Sequence, residues 1–254
     1  MAGELHPVRI VGEERHGRET RHLIRLHILV EGQTEEAFVN RVLAATLAAA
    51  GVVADACRIT TGRRRGRDFR GGFVRYEHLA GDLILRMKQD SGKDSWFTTM
   101  VDLYRLPKDF PGAADIAPTL RAGQRIDLLE QAFAADIARR LNDAPVVRRF
   151  IPYIQQHEFE ALLFADPGAF SAAFPDHPSV ADVRAIRDRV ATPEDIDDGP
   201  ASAPSRRILD CFPDYQKVFH GVLIAESIGI AAIRRECPRF DAWLTRLLYL
   251  SAAP

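Results

Sequence analysis

Three apolar segments of this sequence are each followed by acidic side chains. These acids are Glu31 and Glu35 after the first segment, Asp102 after the second, and Glu158 and Glu160 after the third. Carboxylates that meet at one edge of a protein repel one another unless a cation lies between them, and oxygen ligands suit Mg²⁺ or Mn²⁺. We therefore expect these acids to be ligands of a Mg²⁺ or Mn²⁺ ion.

The acids and one histidine have predicted roles in this site. The predicted catalytic residues are Glu31, Glu35, Asp102, His157, Glu158 and Glu160. The residues predicted to bind metal are Glu31, Asp102, Glu158 and Glu160. Glu35 either completes a second metal site with Glu160 or acts as a general base beside Glu31. His157 is predicted to orient the attacking water or to protonate the leaving oxygen.

Ordinary structural roles would also explain each of these residues. An acid in the first turn of a helix, as predicted for Glu35, complements the helix dipole. Asp102 could start the turn that precedes Pro107, and His157 and Glu158 could cap a helix. The metal-site interpretation depends on the occurrence of acids at three successive strand ends.

Arginines are concentrated in a glycine-rich segment, TGRRRGRDFRGG, at residues 61–72. The residues predicted to bind phosphate are Arg63, Arg64, Arg65, Arg67 and Arg70, together with the smaller basic pair Arg206 and Arg207. Guanidinium groups bind phosphate through paired hydrogen bonds, although a solvated charged loop would have the same composition. The sequence contains no base-reading motif, so it predicts no sequence specificity.

The composition of the whole chain sets limits on its partners. The 254 residues include 34 basic and 35 acidic side chains, so the formal charge of -1 gives no general attraction to nucleic acid or to a membrane. The three cysteines lack metal-site spacing and are interpreted as reduced thiols of a cytoplasmic protein. No apolar segment approaches the roughly 18 residues of a membrane helix, and no P-loop motif is present.

The periodicity of apolar residues predicts strands that alternate with helices. The predicted strands are residues 26–30, 52–60, 96–101 and 146–155. The predicted helices between them run from a Thr34 N-cap to Gly51, over 73–89 and over 126–141, whereas 61–72 and 106–123 are predicted to be loops. This alternation predicts an α/β fold with a mainly parallel four-stranded sheet flanked by helices.

The remainder of the chain is predicted to be helical. The predicted helices are residues 157–174, 178–190, 217–235 and 239–250, and 192–205 is predicted to be a surface linker. An apolar stripe that includes Trp243 and Leu247 indicates packing on the sheet. We therefore predict an N-terminal arm at 1–22, an α/β domain at 23–165 and a helical extension at 166–254 that packs on it.

Three motifs carry a resemblance to a known family. VEGQTEEAFV at 30–39, TTMVDLYRLP at 98–107 and QQHEFEALLFAD at 155–166 resemble the hallmarks of the bacterial family DUF4276, whose members are similar to the Toprim fold. APSRRI and IGIAAIRRECPRFDAWL resemble the C-terminal pattern of the same family. The resemblance covers residues 24–250.

The resemblance implies roles for individual acids. Glu31 matches the Toprim glutamate, Glu35 matches a second acid of OLD-type nucleases, and Asp102 matches the first aspartate of the Toprim DxD motif. Tyr104 stands at the second aspartate of that motif, and Glu158 or Glu160 could supply the missing ligand. The resemblance also implies an AAA-like or ABC-like ATPase partner, as in antiphage systems.

These observations favour a Mg²⁺-dependent or Mn²⁺-dependent nuclease that acts on DNA or RNA as the effector of an ATPase-linked antiphage system. A noncatalytic subunit that binds Mg²⁺ and phosphate for such an ATPase, or a hydrolase of small phosphoesters, would use the same acids. The arginine-rich segment favours a polyanion over a small ligand. The oligomeric state, including a homodimer, is left open by the sequence.

Overall fold

A computed structural model describes residues 23–64, 67–70, 75–117, 119–142, 144–196 and 202–252, with side chains described for all of these except residues 61–64, 67–70 and 144. The predicted N-terminal arm at 1–22 lies outside the described residues. None of the described helices is both long and apolar enough to cross a membrane.

The centre of the fold is a parallel sheet. Its strands are β1 (Ile24–Val30), β2 (Val52–Arg58), β5 (Ser95–Asp102), β6 (Phe150–Ile151) and β7 (Ile154–Gln155). The order is β2-β1-β5-β6, with β7 also paired to β5, and every pairing in it is parallel. The predicted α/β fold with a mainly parallel sheet is therefore confirmed.

The fourth predicted strand is shorter than expected. A short helix, α5 (Ala144–Val147), occupies the start of the predicted segment, and β6 and β7 are separated by Pro152 and Tyr153. Proline fits the first turn of a helix at Pro145, and at Pro152 it lacks the N–H that a continuous strand would donate. Both prolines therefore explain why only two short pieces pair with β5.

Two short antiparallel strands lie between Thr60 and Arg70, so the prediction of a loop was wrong for the described residues of this segment. Strands β3 (Thr60–Arg64) and β4 (Arg67–Arg70) pair antiparallel, with Thr60 opposite Arg70. Threonine and phenylalanine favour extended backbone, and this preference outweighs the turn signals of the glycines.

Helices cover both faces of the sheet. The helices of the first half are α1 (Gln33–Phe38), which continues through a π-helical turn (Val39–Leu43) into α2 (Ala44–Ala49), then α3 (Tyr76–Gln89) and α4 (Ala122–Leu141). Gly51 ends the first run with φ +79°, as predicted. The predicted N-cap Thr34 was wrong, because Gly32 precedes the helix and Thr34 lies inside it.

The helical second half is more divided than predicted. Its elements are 3-10 segments Phe159–Ala165 and Pro167–Ala172, α6 (Val180–Arg187), α7 (Pro204–Cys211), a π-helical turn (Lys217–Gly221), α8 (Val222–Ile228), α9 (Ile230–Glu236) and α10 (Pro238–Leu248), followed by a 3-10 turn (Leu250–Ala252). Asp166 accepts the N–H of Gly168 at 2.9 Å and interrupts the predicted helix 157–174. Gly229, with φ +76°, separates α8 from α9.

Two apolar cores lie on opposite faces of the sheet. Leu26, Ile28 and Val30 of β1 face the first core, which contains α1, α2 and the C-terminal helices, whereas Leu29 faces the second core with α3 and α4. Trp243 of α10 is buried and donates its indole N–H to Thr98 Oγ1 at 2.9 Å. Trp243 and Leu247 of the predicted apolar stripe lie in the same core as the residues of β1.

The predicted surface linker at 192–205 was wrong where the structure describes it. A 3-10 turn (Pro193–Asp195) contains the buried Glu194, and α7 begins within the predicted linker. Residues 197–201 lie outside the described residues. Glu194 accepts the N–H groups of Arg239 and Phe240 at 2.9 and 3.0 Å, in the first turn of α10. A carboxylate remote in sequence therefore caps this helix.

Replacing Glu194 with alanine is expected to destabilise the protein by about 2–3 kcal/mol, because two N–H groups lose a charged acceptor. The free energy of unfolding in urea measures this loss. Glu194→Gln keeps one acceptor oxygen and should cost less, and Asp188→Ala, at an exposed position, should change stability by less than about 0.5 kcal/mol. Equal stability of the wild type and Glu194→Ala would contradict the capping role.

Candidate active site

The candidate site lies at the carboxyl ends of the two central strands. Glu31 follows β1 directly, and Asp102 is the last residue of β5. These strands are adjacent and parallel, with Val30 opposite Met100, so the two acids leave the sheet side by side. Loops and helix N-termini gather at this edge of a parallel sheet, where ligands commonly bind.

Short-range contacts hold Glu31 and Glu35 at this edge. The Asp102 N–H donates to the Glu31 carboxylate, and the Gly32 N–H donates to Glu35 Oε2 at 2.9 Å. Arg105 Nε lies 4.0 Å from Glu31 Oε1. Glu31 Oε2 is buried and, among the described residues, has no hydrogen-bond partner. This oxygen is oriented for a group that the protein itself does not supply.

Burial and mutual repulsion disfavour negative charge on these acids. Burial, with the nearby charge of Glu35, raises the pKa of Glu31 to about 7. Burial also raises the pKa of Glu35. For Asp102, burial and then the charges of Glu35, Glu31 and Glu160 raise the pKa well above its usual value. The four carboxyl groups therefore share one electrostatic environment, in which a bound cation would be favourable.

Lys217 completes the cluster from the second half of the chain. Its Nζ lies 2.7 Å from Oε1 of Glu160, which is almost fully buried. Its charge also opposes the rise in the pKa of Asp102. Sequence reasoning missed this residue, because no motif links Lys217 to an acid 57 positions earlier, and only the packing of the C-terminal helices brings them together.

Glu158 and His157 lie at the side of the cluster. Glu158 Oε2 accepts the N–H of Ser205, in the first turn of α7, at 3.0 Å. His157 has a left-handed backbone with φ +63°, and its ring centroid is 5.2 Å from that of Tyr104. Burial lowers the pKa of His157 to about 4. Its imidazole is therefore neutral near pH 7 and suits orienting a water more than delivering a proton.

A cavity of about 640 Å³ opens beside His157 and Tyr104. The start of α4 contributes Arg121 and Arg125 to its wall. Leu103 and Tyr104, which directly follow Asp102 in the chain, also line this cavity. Tyr104, at the position of the missing second aspartate, is partly exposed and contributes an aromatic ring to this wall instead of a carboxylate.

The predicted phosphate-binding arginines are only partly described. All of Arg65, and the side chains of Arg63, Arg64, Arg67 and Arg70, lie outside the described residues. Arg206 and Arg207 lie on α7, where Arg206 pairs with Asp210 at 3.1 Å and Arg207 Nε donates to the Ser202 carbonyl at 2.8 Å. Arg206 is exposed and could exchange this weak surface pair for a phosphate.

The donors of the cluster fit Mg²⁺ or Mn²⁺. Carboxylate oxygens suit these ions, and the unpaired Glu31 Oε2 and the raised pKa values match a site that needs a cation. The cluster is nevertheless loose, because within the described part of the chain the trio whose potential metal-ligand atoms all lie within 4.8 Å of one another is elsewhere, at His27, Asp55 and Cys57. Mg²⁺ often binds through one or two carboxylates and keeps several waters, so a loose cluster still suits it.

The fold and this cluster define an α/β protein with a buried acidic site at the carboxyl ends of its parallel strands. The family model described as a domain of unknown function, DUF4276, matches residues 30–248. The chain therefore belongs to the DUF4276 family, as its three acidic motifs predicted.

Solved structures of OLD proteins from two organisms are similar to this chain. The C-terminal region of the Xanthomonas campestris pv. campestris OLD protein has 17% identity and a TM-score of 0.35, with 88% of this chain and 98% of that chain covered. The C-terminal region of the Burkholderia pseudomallei OLD protein has 16% identity and a TM-score of 0.39, with 91% and 98% covered. Neither similarity is large enough to assign a function. The comparison with curated proteins gives no match.

Proposed function

We propose that this protein is a Mg²⁺-dependent or Mn²⁺-dependent phosphodiester hydrolase of the Toprim type, a nuclease of DNA or RNA that acts in the cytoplasm. The observation that carries the proposal is the gathering of Glu31, Glu35, Asp102 and Glu160 at one buried edge beside Lys217. Acids with raised pKa values at such an edge are costly for stability, and this cost is typical of functional sites.

The residues of the cluster have distinct proposed tasks. Glu31 and Asp102 hold the ion, which when bound activates water and stabilises charge on the phosphate. Glu35 accepts a proton from the attacking water, because its raised pKa makes it a stronger base than an exposed carboxylate. Lys217 stabilises the negative charge that develops on the nonbridging oxygens. His157, which is neutral, orients the water.

Glu158 and Glu160 support the cluster from the polypeptide that follows β7. Glu160 positions the Lys217 ammonium group, and Glu158 is itself held by the Ser205 N–H. Either acid could bind a second ion after a change of side-chain rotamer. This arrangement supplies carboxylates near the place where Tyr104 replaces an acid.

The proposed substrate is a polyanion, held by the arginines of β3, β4 and α7. The proposed partner is an AAA-like or ABC-like ATPase of an antiphage system, which would control access to the site. A homodimer is compatible with this arrangement. A noncatalytic subunit that binds Mg²⁺ and phosphate is the second candidate, and it is favoured by Tyr104 at the position of the second aspartate and by the loose spacing of the acids.

Removal of divalent metal is expected to abolish cleavage completely. The purified chain, alone and with the ATPase encoded beside it, would be incubated with plasmid, single-stranded DNA and tRNA in Mn²⁺, in Mg²⁺ or in excess EDTA. The nuclease proposal predicts cleavage products with Mn²⁺ or Mg²⁺ and none with EDTA. Metal-dependent binding of nucleic acid without cleavage, in the presence of the ATPase, would instead support the noncatalytic subunit.

A further inference from the structure

A second group of metal-ligand side chains lies on β1 and on β2, the terminal strand of the sheet. His27 of β1 pairs in register with Asp55 of β2, and Cys57 lies two residues further along β2. His27 Nδ1 is 3.3 Å from Asp55 Oδ2, and Cys57 Sγ is 3.2 Å from the same oxygen. We propose that His27, Asp55 and Cys57 form a zinc-binding site.

The spacing of the donor atoms fits tetrahedral zinc. Zinc binds nitrogen and oxygen at about 2.0 Å and sulfur at about 2.3 Å, so neighbouring ligand atoms in a tetrahedral site lie about 3.3–3.5 Å apart. The two contacts to Asp55 Oδ2, at 3.3 and 3.2 Å, are close to this spacing. A thiolate, an imidazole and a carboxylate together suit zinc better than Mg²⁺, which prefers oxygen ligands.

Asp90 orients the histidine for this role. His27 Nε2 lies 3.0 Å from Asp90 Oδ2, at the end of α3. Asp90 in turn accepts hydrogen bonds from the Arg25 guanidinium and the Ser95 hydroxyl. In metal sites the histidine ligand commonly donates its second N–H to a carboxylate, which fixes the ring and leaves the other nitrogen for the metal. This contact leaves Nδ1 directed at Asp55.

The group is accessible to solvent through Asp55, although Cys57 is buried. The Asp55 side chain is 60% exposed, whereas the side chain of His27 is 15% exposed. Three protein ligands with one solvent-filled position are a common zinc coordination. The zinc ion would take the place of the thiol proton of Cys57, so zinc uptake releases a proton.

This site is separate from the proposed active site. His27 is four residues from Glu31 along the chain, which corresponds to about 13 Å, and Cys57 lies opposite Leu29, two residues before Glu31. Zinc would connect β1 to β2 and, through Asp90, to the end of α3. The metal would therefore stabilise the strand that carries Glu31 without contact with the substrate.

Cobalt and zinc titrations of the full chain test the site. Co²⁺ should give a thiolate-to-cobalt charge-transfer band at one equivalent, and zinc should displace it. Cys57→Ser should lose the band, Asp55→Asn should weaken binding, and Asp90→Asn should weaken it about 10–100-fold through loss of the oriented ring. Cys211→Ser and Cys237→Ser are matched controls that keep the band.

At a free zinc concentration of 100 times the Kd, bound zinc should raise the Tm of the protein by roughly 5–11 °C.

The titration would be done in a Glu31→Gln, Asp102→Asn background, so that ions bound at the acidic edge do not contribute. Absence of the band in this folded background at saturating Co²⁺, or its persistence after Cys57→Ser, would overturn the zinc site. Unchanged affinity in Asp55→Asn would also overturn it, and this exposed position tolerates substitution if Cys57→Ser does not fold. Each of these results is independent of whether the chain cleaves nucleic acid.

Discussion

Replacing Asp102 with asparagine is expected to lower Mn²⁺-dependent cleavage by at least about 10²-fold to 10³-fold, the loss typical of removing one stabilising group from an active site. Asp102 is buried at the end of β5 among three other carboxyl groups. Asparagine has the same shape as the protonated acid, but it cannot hold a cation by charge. Initial rates of plasmid or oligonucleotide cleavage measure the effect.

Asp115→Asn is the matched control for this substitution. Asp115 is exposed in the connection between β5 and α4, so its replacement should leave the cleavage rate within about twofold, because isolated surface charges contribute little. Circular dichroism and the Tm would show that Asp102→Asn is folded. Undiminished cleavage by folded Asp102→Asn would remove this residue from the mechanism.

Glu31→Gln is expected to stabilise the metal-free protein at pH 8 by about 2–3 kcal/mol, which corresponds to a rise in Tm of about 4–10 °C. The folded protein raises the pKa of Glu31 from 4.5 to about 7. Below about pH 4.5 the Glu31 side chain is protonated in both the folded and the unfolded protein, so it does not lower the free energy of unfolding. As the pH rises from 4.5 through 7, the unfolded chain ionises first and the free energy of unfolding falls. Glutamine cannot ionise, so the variant should gain at pH 8 and not at pH 4.

The change in Tm on adding Mn²⁺ shows whether Glu31 also binds metal, in addition to being repelled by the neighbouring carboxylates. Mn²⁺ should raise the Tm of the wild type at pH 8 and have little effect on Glu31→Gln. Glu130 is a matched control, because burial also raises its pKa to about 7, yet it lies beside Ile154, whose N–H it accepts at 2.8 Å. Glu130→Gln should therefore keep the full response to Mn²⁺. A wild-type Tm that is independent of pH between 5 and 8 would contradict the pKa of Glu31.

The central sheet and the two acids at its edge could be predicted from the sequence because both depend on local patterns. An apolar run followed by glycine and a helical pattern places Glu31 at a strand end. Asp102 is placed at a strand end because it directly follows the apolar run 96–101. Parallel neighbouring strands then bring the two acids together, since crossover connections return each strand in the same direction.

Other parts depend on contacts between residues far apart in the sequence. Lys217 reaches Glu160, and Glu194 caps α10, through packing that no local pattern encodes. The predicted linker was wrong because an acidic and proline-rich composition usually indicates an exposed segment. Glu194 is instead buried against α10, where it accepts two backbone N–H groups. The divided helix after His157 was missed for a similar reason, since its apolar residues fit a regular helix as well as two 3-10 segments.

The position of Lys217 has a consequence for biosynthesis. Glu31, Asp102 and Glu160 are all translated before the lysine that neutralises Glu160. A nascent chain that ends before residue 217 would hold its acids without this ammonium group, and their repulsion would keep the edge open. The proposed site can therefore assemble in full only after residue 217 has been translated and the C-terminal helices have docked.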